Sequence, residues 1–242
     1  MTIFPLASSA LLGAATLALA AASLPAFAAA PATLPDTLAQ RVAACTACHA
    51  IKESRDTFFP RIAGKPAGYL YNQLINFRQG RRHYPMMNYM VEHLPDAYLR
   101  EIADYFSAQH PPYPPPLASR LGAPMLERGR TLVFNGDPAK KVPACVACHG
   151  QQLTGVTPAV PGLIGLPADY INAQFGAWRN QTRHAQAPDC MADIAGRLSD
   201  GDVAAVSGWL SSQVADPAAR PATSIALPLP LQCGSMPAQS AQ

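Results

Sequence analysis

Two short segments carry the side chains best suited to chemistry. Cys45-Thr46-Ala47-Cys48-His49 and Cys145-Val146-Ala147-Cys148-His149 share the pattern Cys-x-x-Cys-His. Two cysteines at this spacing can both form thioether bonds with one porphyrin, and the adjacent histidine can bind its iron. The pattern therefore predicts two covalently bound c-type haems, held by Cys45, Cys48, Cys145 and Cys148, with His49 and His149 as iron ligands. A zinc half-site and a redox dithiol are the competing interpretations, but zinc needs further soft ligands and a dithiol motif favours a βαβ pattern.

The sixth iron ligand decides whether such a haem carries electrons or binds a substrate. Met87 and Met191 each lie seven residues before a leucine at the start of a predicted terminal helix. This shared spacing favours them as ligands over the neighbouring methionines Met86 and Met90. A methionine is otherwise most often a core residue, so the duplicated spacing carries the prediction.

Two further pairs of residues match between the two halves of the chain. Pro60 and Pro161 follow the haem motifs, and their carbonyl groups are predicted to orient the ligand histidines through Nδ1–H; the alternative is a role as turn residues. His83 and His184 are rival sixth ligands, which would give bis-histidine sites of lower reduction potential. A role at the surface or near the haem edge is the alternative for this pair.

The haem motifs belong to an internal repeat of about 100 residues, and such repeats indicate duplicated structural units. Apolar residues recur at helical spacing in both units, and no convincing strand pattern is present. The predicted fold class is all-α, with two tandem domains joined by the Pro-rich linker Pro111–Pro116; the resemblance described below implies that both are class I cytochrome c domains. The predicted boundaries are a signal peptide over 1–28, domains over 31–117 and 118–216, and a Pro-rich tail over 217–242.

The first 35 residues contain no charged side chain, and Ala and Leu dominate 6–24. This composition is typical of a secretory leader with cleavage after Ala28 or Ala30; an uncleaved membrane anchor is the alternative. Both predict export to the periplasm, with membrane contact only through partners or a retained leader. The formal net charge of +3, without a dense basic face, argues against nucleic acid as a partner.

Two cysteines remain after haem attachment. In an exported protein such a pair predicts a disulfide, here between Cys190 and Cys233, which would tie the tail to the Met191 loop. The alternative makes the Cys190 thiolate the sixth ligand of the second haem, an arrangement suited to sulfur chemistry.

The chain resembles the di-haem class I cytochromes of the cytochrome c4 type. The resemblance rests on the two haem motifs, Phe59-Pro60-Arg61-Ile62-Ala63-Gly64, Tyr69-Leu70-x-x-Gln73-Leu74, and Glu127-x-Gly129. It implies two low-spin His/Met haems in a pseudo-twofold pair of domains, and periplasmic electron delivery between respiratory complexes, often to a terminal oxidase. Three features depart from the family pattern: Gln181 in place of the glycine at position 80, Cys190 beside Met191, and the appended tail.

The functional hypothesis is an electron carrier and not an enzyme, with redox proteins as donor and acceptor. One alternative is a di-haem oxidoreductase resembling a thiosulfate dehydrogenase or a peroxidase. Another is the electron-transfer subunit of a dehydrogenase complex, in which the tail Ser224–Met236 would be a docking element.

Overall fold

The computed structural model describes residues 37–49, 58–224 and 229–236, so the predicted signal peptide over 1–28 lies outside the described residues. Helices dominate both halves and follow one another in a similar order. None of the helices in these ranges is long and apolar enough to cross a membrane. The helices are α1 (Leu38–Arg41), α2 (Ala43–Cys48), α3 (Ala67–Arg78), α4 (Pro85–Val91), α5 (Asp96–Ser107), α6 (Ala123–Asn135), α7 (Val146–His149), α8 (Ala168–Arg179), α9 (Cys190–Arg197) and α10 (Asp200–Ser211).

Each half has its own apolar core. In the N-terminal half, helices α3 and α5 pack together. One face of α5 is buried, and it consists of Leu99, Ile102, Ala103 and Phe106, which are spaced as expected for an amphipathic helix. In the C-terminal half, α10 packs against both α6 and α8 around a second cluster that includes Phe175. Burying a large apolar side chain contributes about 1.5–3 kcal/mol, so two clusters of this kind stabilise two separate helical units.

The crossing of α6 and α10 requires a glycine. A Cβ atom on Gly129 would lie 2.2 Å from the carbonyl oxygen of Ala205, so no other residue fits without moving a helix. Gly129 belongs to the Glu127-x-Gly129 pattern noted in the sequence. The glycine therefore fixes how closely the first and last helices of the C-terminal half approach.

Two short strands correct the expectation that the chain contains none. Strand β1 (Gly155–Val156) pairs with β2 (Val160–Pro161) in an antiparallel ladder, and Ala222 of the tail forms a bridge to Val156. Strands of two residues are too short for alternating polarity to be visible in a sequence. The ladder fixes the position of Pro161, which lies beside a haem motif.

The linker between the halves is extended but not free. The Arg61 guanidinium donates hydrogen bonds to the carbonyl oxygens of Pro111 and Pro112, at 2.6 and 2.9 Å, and lies 4.5 Å from the centre of the Tyr113 ring. Arg61 is buried, and a buried guanidinium needs such partners. The linker is thereby tied to the loop that follows the first haem motif.

A capping box opens α10. The side chain of the N-cap residue Ser199 accepts a hydrogen bond from the Asp202 backbone N–H, and the Asp202 carboxylate accepts one from the Ser199 backbone N–H. Asp202 also accepts hydrogen bonds from Arg128 of α6 and from Lys140. Burial alone would raise the pKa of Asp202, but hydrogen bonds from Lys140, from the N-cap and from Arg128 outweigh it and hold the pKa well below its usual range.

We expect Asp202→Asn to lower the free energy of unfolding by about 2 kcal/mol, because a buried acceptor of several charged hydrogen bonds is lost. The depressed pKa of Asp202 means that its contribution is present above the unfolded-state pKa of about 4 and is lost as pH falls. Chemical denaturation as a function of pH measures both effects. A variant whose stability loss is the same at acidic and neutral pH would contradict this role.

Candidate functional site

The C-terminal half contains a cavity of about 200 Å³ with mainly apolar walls. Both thiols of the second haem motif, Cys145 and Cys148, line it together with His149 and Met191. The cavity thus places two thiols, an imidazole and a thioether around one space. Leu132, Leu163, Ile171 and Phe175 are among the apolar side chains that complete the walls.

His149 is held by the backbone of the loop that follows it. Its Nδ1–H donates a hydrogen bond of 2.8 Å to the Pro161 carbonyl oxygen, which leaves Nε2 to bind a metal. Burial lowers the pKa of His149, more than the bond to Pro161 raises it, so the ring is neutral at pH 7. Neutral imidazole is the form that ligates iron.

The thiols do not have the environment of a redox dithiol. Burial raises the pKa of the Cys145 thiol to about 12, and it also raises the pKa of Cys148. A catalytic dithiol needs a thiolate with a lowered pKa. The cavity therefore favours covalent attachment of a cofactor over thiol–disulfide chemistry.

The N-terminal half repeats part of this geometry. His49 Nδ1 lies 3.1 Å from the Pro60 carbonyl oxygen, and both Cys45 and Met87 pack against the core of that half. Residues 50–57, which follow the motif, lie outside the described ranges. Of the two neighbouring methionines, Met90 also packs against the core, whereas Met86 is 57% exposed.

The cavity around His149 and Met191 has donors suited to a porphyrin's acidic groups. Trp178 lines it, and its buried Nε1–H has no hydrogen-bond partner among the described residues. The buried Arg183 guanidinium lies 3.9 Å from the centre of the Trp178 ring. An orphaned donor and a buried cation in apolar walls fit an amphipathic macrocycle with carboxylate substituents. The residues present therefore fit a haem c.

The two halves meet at a pair of arginines that sequence reasoning did not assign to an interface. Arg82 and Arg183 form a backbone bridge, and each guanidinium hydrogen-bonds both Gln73 and Gln174. The sequence does contain a pattern that could have predicted this interface, because the Gln73–Arg82 spacing recurs as Gln174–Arg183 in the repeat. Duplicated polar residues that meet across a pseudo-twofold axis are predictable as interface residues.

His83 and His184 lie beside this bridge. Their backbone amides donate across it, His83 to Thr182 and His184 to Arg81. Both side chains are exposed, and the Nε2 of His184 is 2.8 Å from the carbonyl oxygen of Gln181 at the rim of the cavity. The two histidines therefore occupy matching positions in the repeat, and at both positions the backbone helps to join the halves.

Comparison with known proteins gives the family. No protein-family model matches the chain. The thiosulfate dehydrogenase electron acceptor of Thiomonas intermedia (strain K12) is 36% identical over 72% of this chain and 81% of that protein. Cytochrome c4 of Pseudomonas aeruginosa is 32% identical over 70% of this chain and 84% of that protein. The chain belongs to the cytochrome c4 family.

Solved structures show the same fold. Reduced cytochrome c4 from Pseudomonas stutzeri superposes with a TM-score of 0.61 at 28% identity, over 72% of this chain and 96% of that one. Thiosulfate dehydrogenase from Marichromatium purpuratum gives 0.63 at 31% identity, over 70% of this chain but only 36% of that one. The predicted tandem class I cytochrome c fold is confirmed. As a cytochrome c4-type protein, the chain carries covalently bound haem c and transfers electrons.

A tail segment covers the Met191 side of the cavity in this cytochrome c4-type chain. Cys233 is joined to Cys190 by a disulfide, so the Cys190 sulfur is not a free thiolate. Leu231, Ser235 and Met236 line the same cavity as Met191. The predicted disulfide implied that the tail lies near the Met191 loop, but the sequence did not indicate which tail residues line the cavity. The corresponding helix of the N-terminal half, α4, instead exposes 72% of Tyr89.

We expect replacement of both Cys190 and Cys233 by Ser to lower the free energy of unfolding by up to about 4 kcal/mol, because the loop between them becomes unconstrained in the unfolded chain. Equilibrium denaturation of the double variant against the wild type measures the loss. Reduced wild type is the matched control and should unfold like the double variant. Equal stability of oxidised wild type and variant would contradict the expected role of the crosslink.

Proposed function

We propose that this protein is a periplasmic electron carrier with two haems c, one in each domain. Cys45 and Cys48 would attach the first haem, and Cys145 and Cys148 the second. The proposed iron ligands are His49 with Met87, and His149 with Met191. The proposed domains are 31–117 and 118–216, preceded by a cleaved signal peptide over 1–28 and followed by the tail over 217–242.

The observation that carries this proposal is the pair of candidate iron ligands in the cavity of the C-terminal half. His149 and Met191 both line this cavity, so the chain offers an imidazole and a thioether that would hold the iron of a haem there. An enzyme that activates a substrate at the iron needs a vacant position, whereas a carrier benefits from two fixed ligands. Met/His ligation also raises the reduction potential, which suits delivery toward a terminal oxidase.

The chain's own residues supply orientation and charge. The carbonyl groups of Pro60 and Pro161 fix the imidazole rings by accepting Nδ1–H, at 3.1 and 2.8 Å. Such a bond also increases the basicity of the nitrogen that faces the metal. Trp178 and Arg183 offer an N–H and a positive charge to the acidic substituents of the second haem. The haem supplies the redox-active iron, and the apolar walls exclude water from it.

Two relatives support a more specific donor. Proteins named thiosulfate dehydrogenase electron acceptor, from Thiomonas intermedia and Stutzerimonas stutzeri, are 36% and 35% identical to this chain. We therefore propose a thiosulfate dehydrogenase as the physiological donor. The disulfide supports a carrier over a thiosulfate-oxidising enzyme. The enzyme hypothesis relied on a free Cys190 thiolate, and Cys190 is bonded to Cys233.

We expect Met87→Leu and Met191→Leu each to convert one of two low-spin haems to a form that binds carbon monoxide, because leucine offers no ligand atom. Optical spectra with and without carbon monoxide measure the change, including loss of the sulfur–iron charge-transfer band. A pyridine haemochrome assay should still count two haems per chain. Met86→Leu, at an exposed neighbour, is the matched control and should resemble the wild type. Unchanged spectra in the Met191 variant would refute the ligand assignment.

We expect thiosulfate to reduce the oxidised protein only when a catalytic amount of a thiosulfate dehydrogenase is present. Stopped-flow absorption at the haem bands measures the rate. Reduction by thiosulfate alone would identify the protein as an enzyme and refute the carrier. Failure of the dehydrogenase to reduce it would refute only the proposed donor.

A further inference from the structure

Lys65 is a buried cation that the N-terminal half contributes to the haem cavity of the other half. The residue directly precedes Pro66, the N-cap of α3, and it lines the cavity together with Cys145 and His149. Its Nζ donates a hydrogen bond of 2.8 Å to the carbonyl oxygen of Gly162. Gly162 follows Pro161, whose carbonyl group holds the His149 ring. An ammonium group of one half thus lies in the wall of the other half's site.

The repeat shows that this lysine has no counterpart. At the repeat offset of 101 residues, Lys65 aligns with Leu166, which is buried in the core of the C-terminal half. At this position of the repeat, the N-terminal half therefore has a cation where the C-terminal half has an apolar side chain. Lys65 therefore both departs from the repeat and contacts the other half through Gly162.

Lys65 is paired with no acidic side chain in the part of the chain that the structure describes. Asp189 also lines the cavity, but its two oxygens accept hydrogen bonds from the backbone amides of Ala185 and Ala192. The other titratable or cationic side chains lining the cavity are Arg183, His149, His184, Tyr69, Tyr170 and the two motif thiols. Burial, reinforced by the charge on Arg61, lowers the pKa of Lys65 to about 7.

We infer that Lys65 sets the reduction potential of the C-terminal haem, as a buried ammonium of the neighbouring domain that stabilises the reduced iron. The inference rests on the proposed function, since it takes His149 and Met191 as iron ligands. Reduction adds an electron to the site, and a nearby positive charge in a medium of low dielectric constant favours that state. Two haems with like ligands thereby acquire different affinities for the electron, which gives the transfer between domains a preferred direction.

The test is a spectroelectrochemical titration of the full-length holoprotein with Lys65→Met and Lys65→Gln, at about one pH unit below the Lys65 pKa of about 7, where most of the wild-type amine is charged. Methionine preserves the length of the side chain, whereas glutamine preserves a hydrogen-bond donor for the Gly162 carbonyl group.

We expect both variants to lower the midpoint potential of the C-terminal haem alone. The electron affinity of that haem should fall roughly tenfold, the order of magnitude for loss of a unit charge in the wall of a partly buried site. Met191→His, which changes a ligand of that haem, identifies which transition belongs to it.

The controls separate charge from structure. Arg120→Met removes the same net charge at an exposed position and should leave both midpoints unchanged. A shift in Lys65→Met without one in Lys65→Gln would overturn the inference, because the hydrogen bond and not the charge would then be responsible. Unchanged midpoints in both variants, with two low-spin transitions present, would overturn it and leave the carrier function intact. If the wild type lacks two low-spin transitions, the proposed function itself fails.

Discussion

A hydrogen bond from an imidazole Nδ1 to a prolyl carbonyl oxygen occurs once in each half, and the remaining structure holds these two bonds in place. The bond decides which ring nitrogen is left for a metal. Each prolyl loop is anchored by the residue that follows the proline. Arg61, after Pro60, binds the linker carbonyl groups, and Gly162, after Pro161, accepts from Lys65. Because Lys65 belongs to the N-terminal half, the loop that orients His149 is held partly by contact between the halves.

Duplication produced two similar sites, but later differences give them unlike surroundings. The tail and its disulfide cover the Met191 side of the C-terminal site, whereas α4 of the N-terminal half leaves Tyr89 largely exposed. A covered site is less hydrated, and burial is one of the levers that set a haem potential. The same cover also reduces direct access for a partner.

The sequence predicted the fold and the cofactor because both depend on local patterns. Haem attachment needs residues at fixed spacing, and the amphipathic stripe of α5 follows helical periodicity. The contacts that only the structure reveals depend on distant residues. The Lys65–Gly162 bond joins residues 97 apart in the chain, and the two-residue strand that positions Pro161 is too short to show alternation. Met236, which lines the cavity, comes from a tail without periodicity.

The interface between the halves also links domain association to the haems. Arg82 and Arg183 share the same two glutamines, and burial together with the charge of Arg82 lowers the pKa of Arg183. Two like charges brought together in a buried interface oppose association unless anions accompany them. The proposed haems each bring carboxylates, and the Trp178 Nε1–H beside Arg183 has no partner in the described part of the chain. Acidic groups at this position would satisfy the orphaned donor and relieve the repulsion, so the cofactors that carry the electrons would also stabilise the contact between the domains.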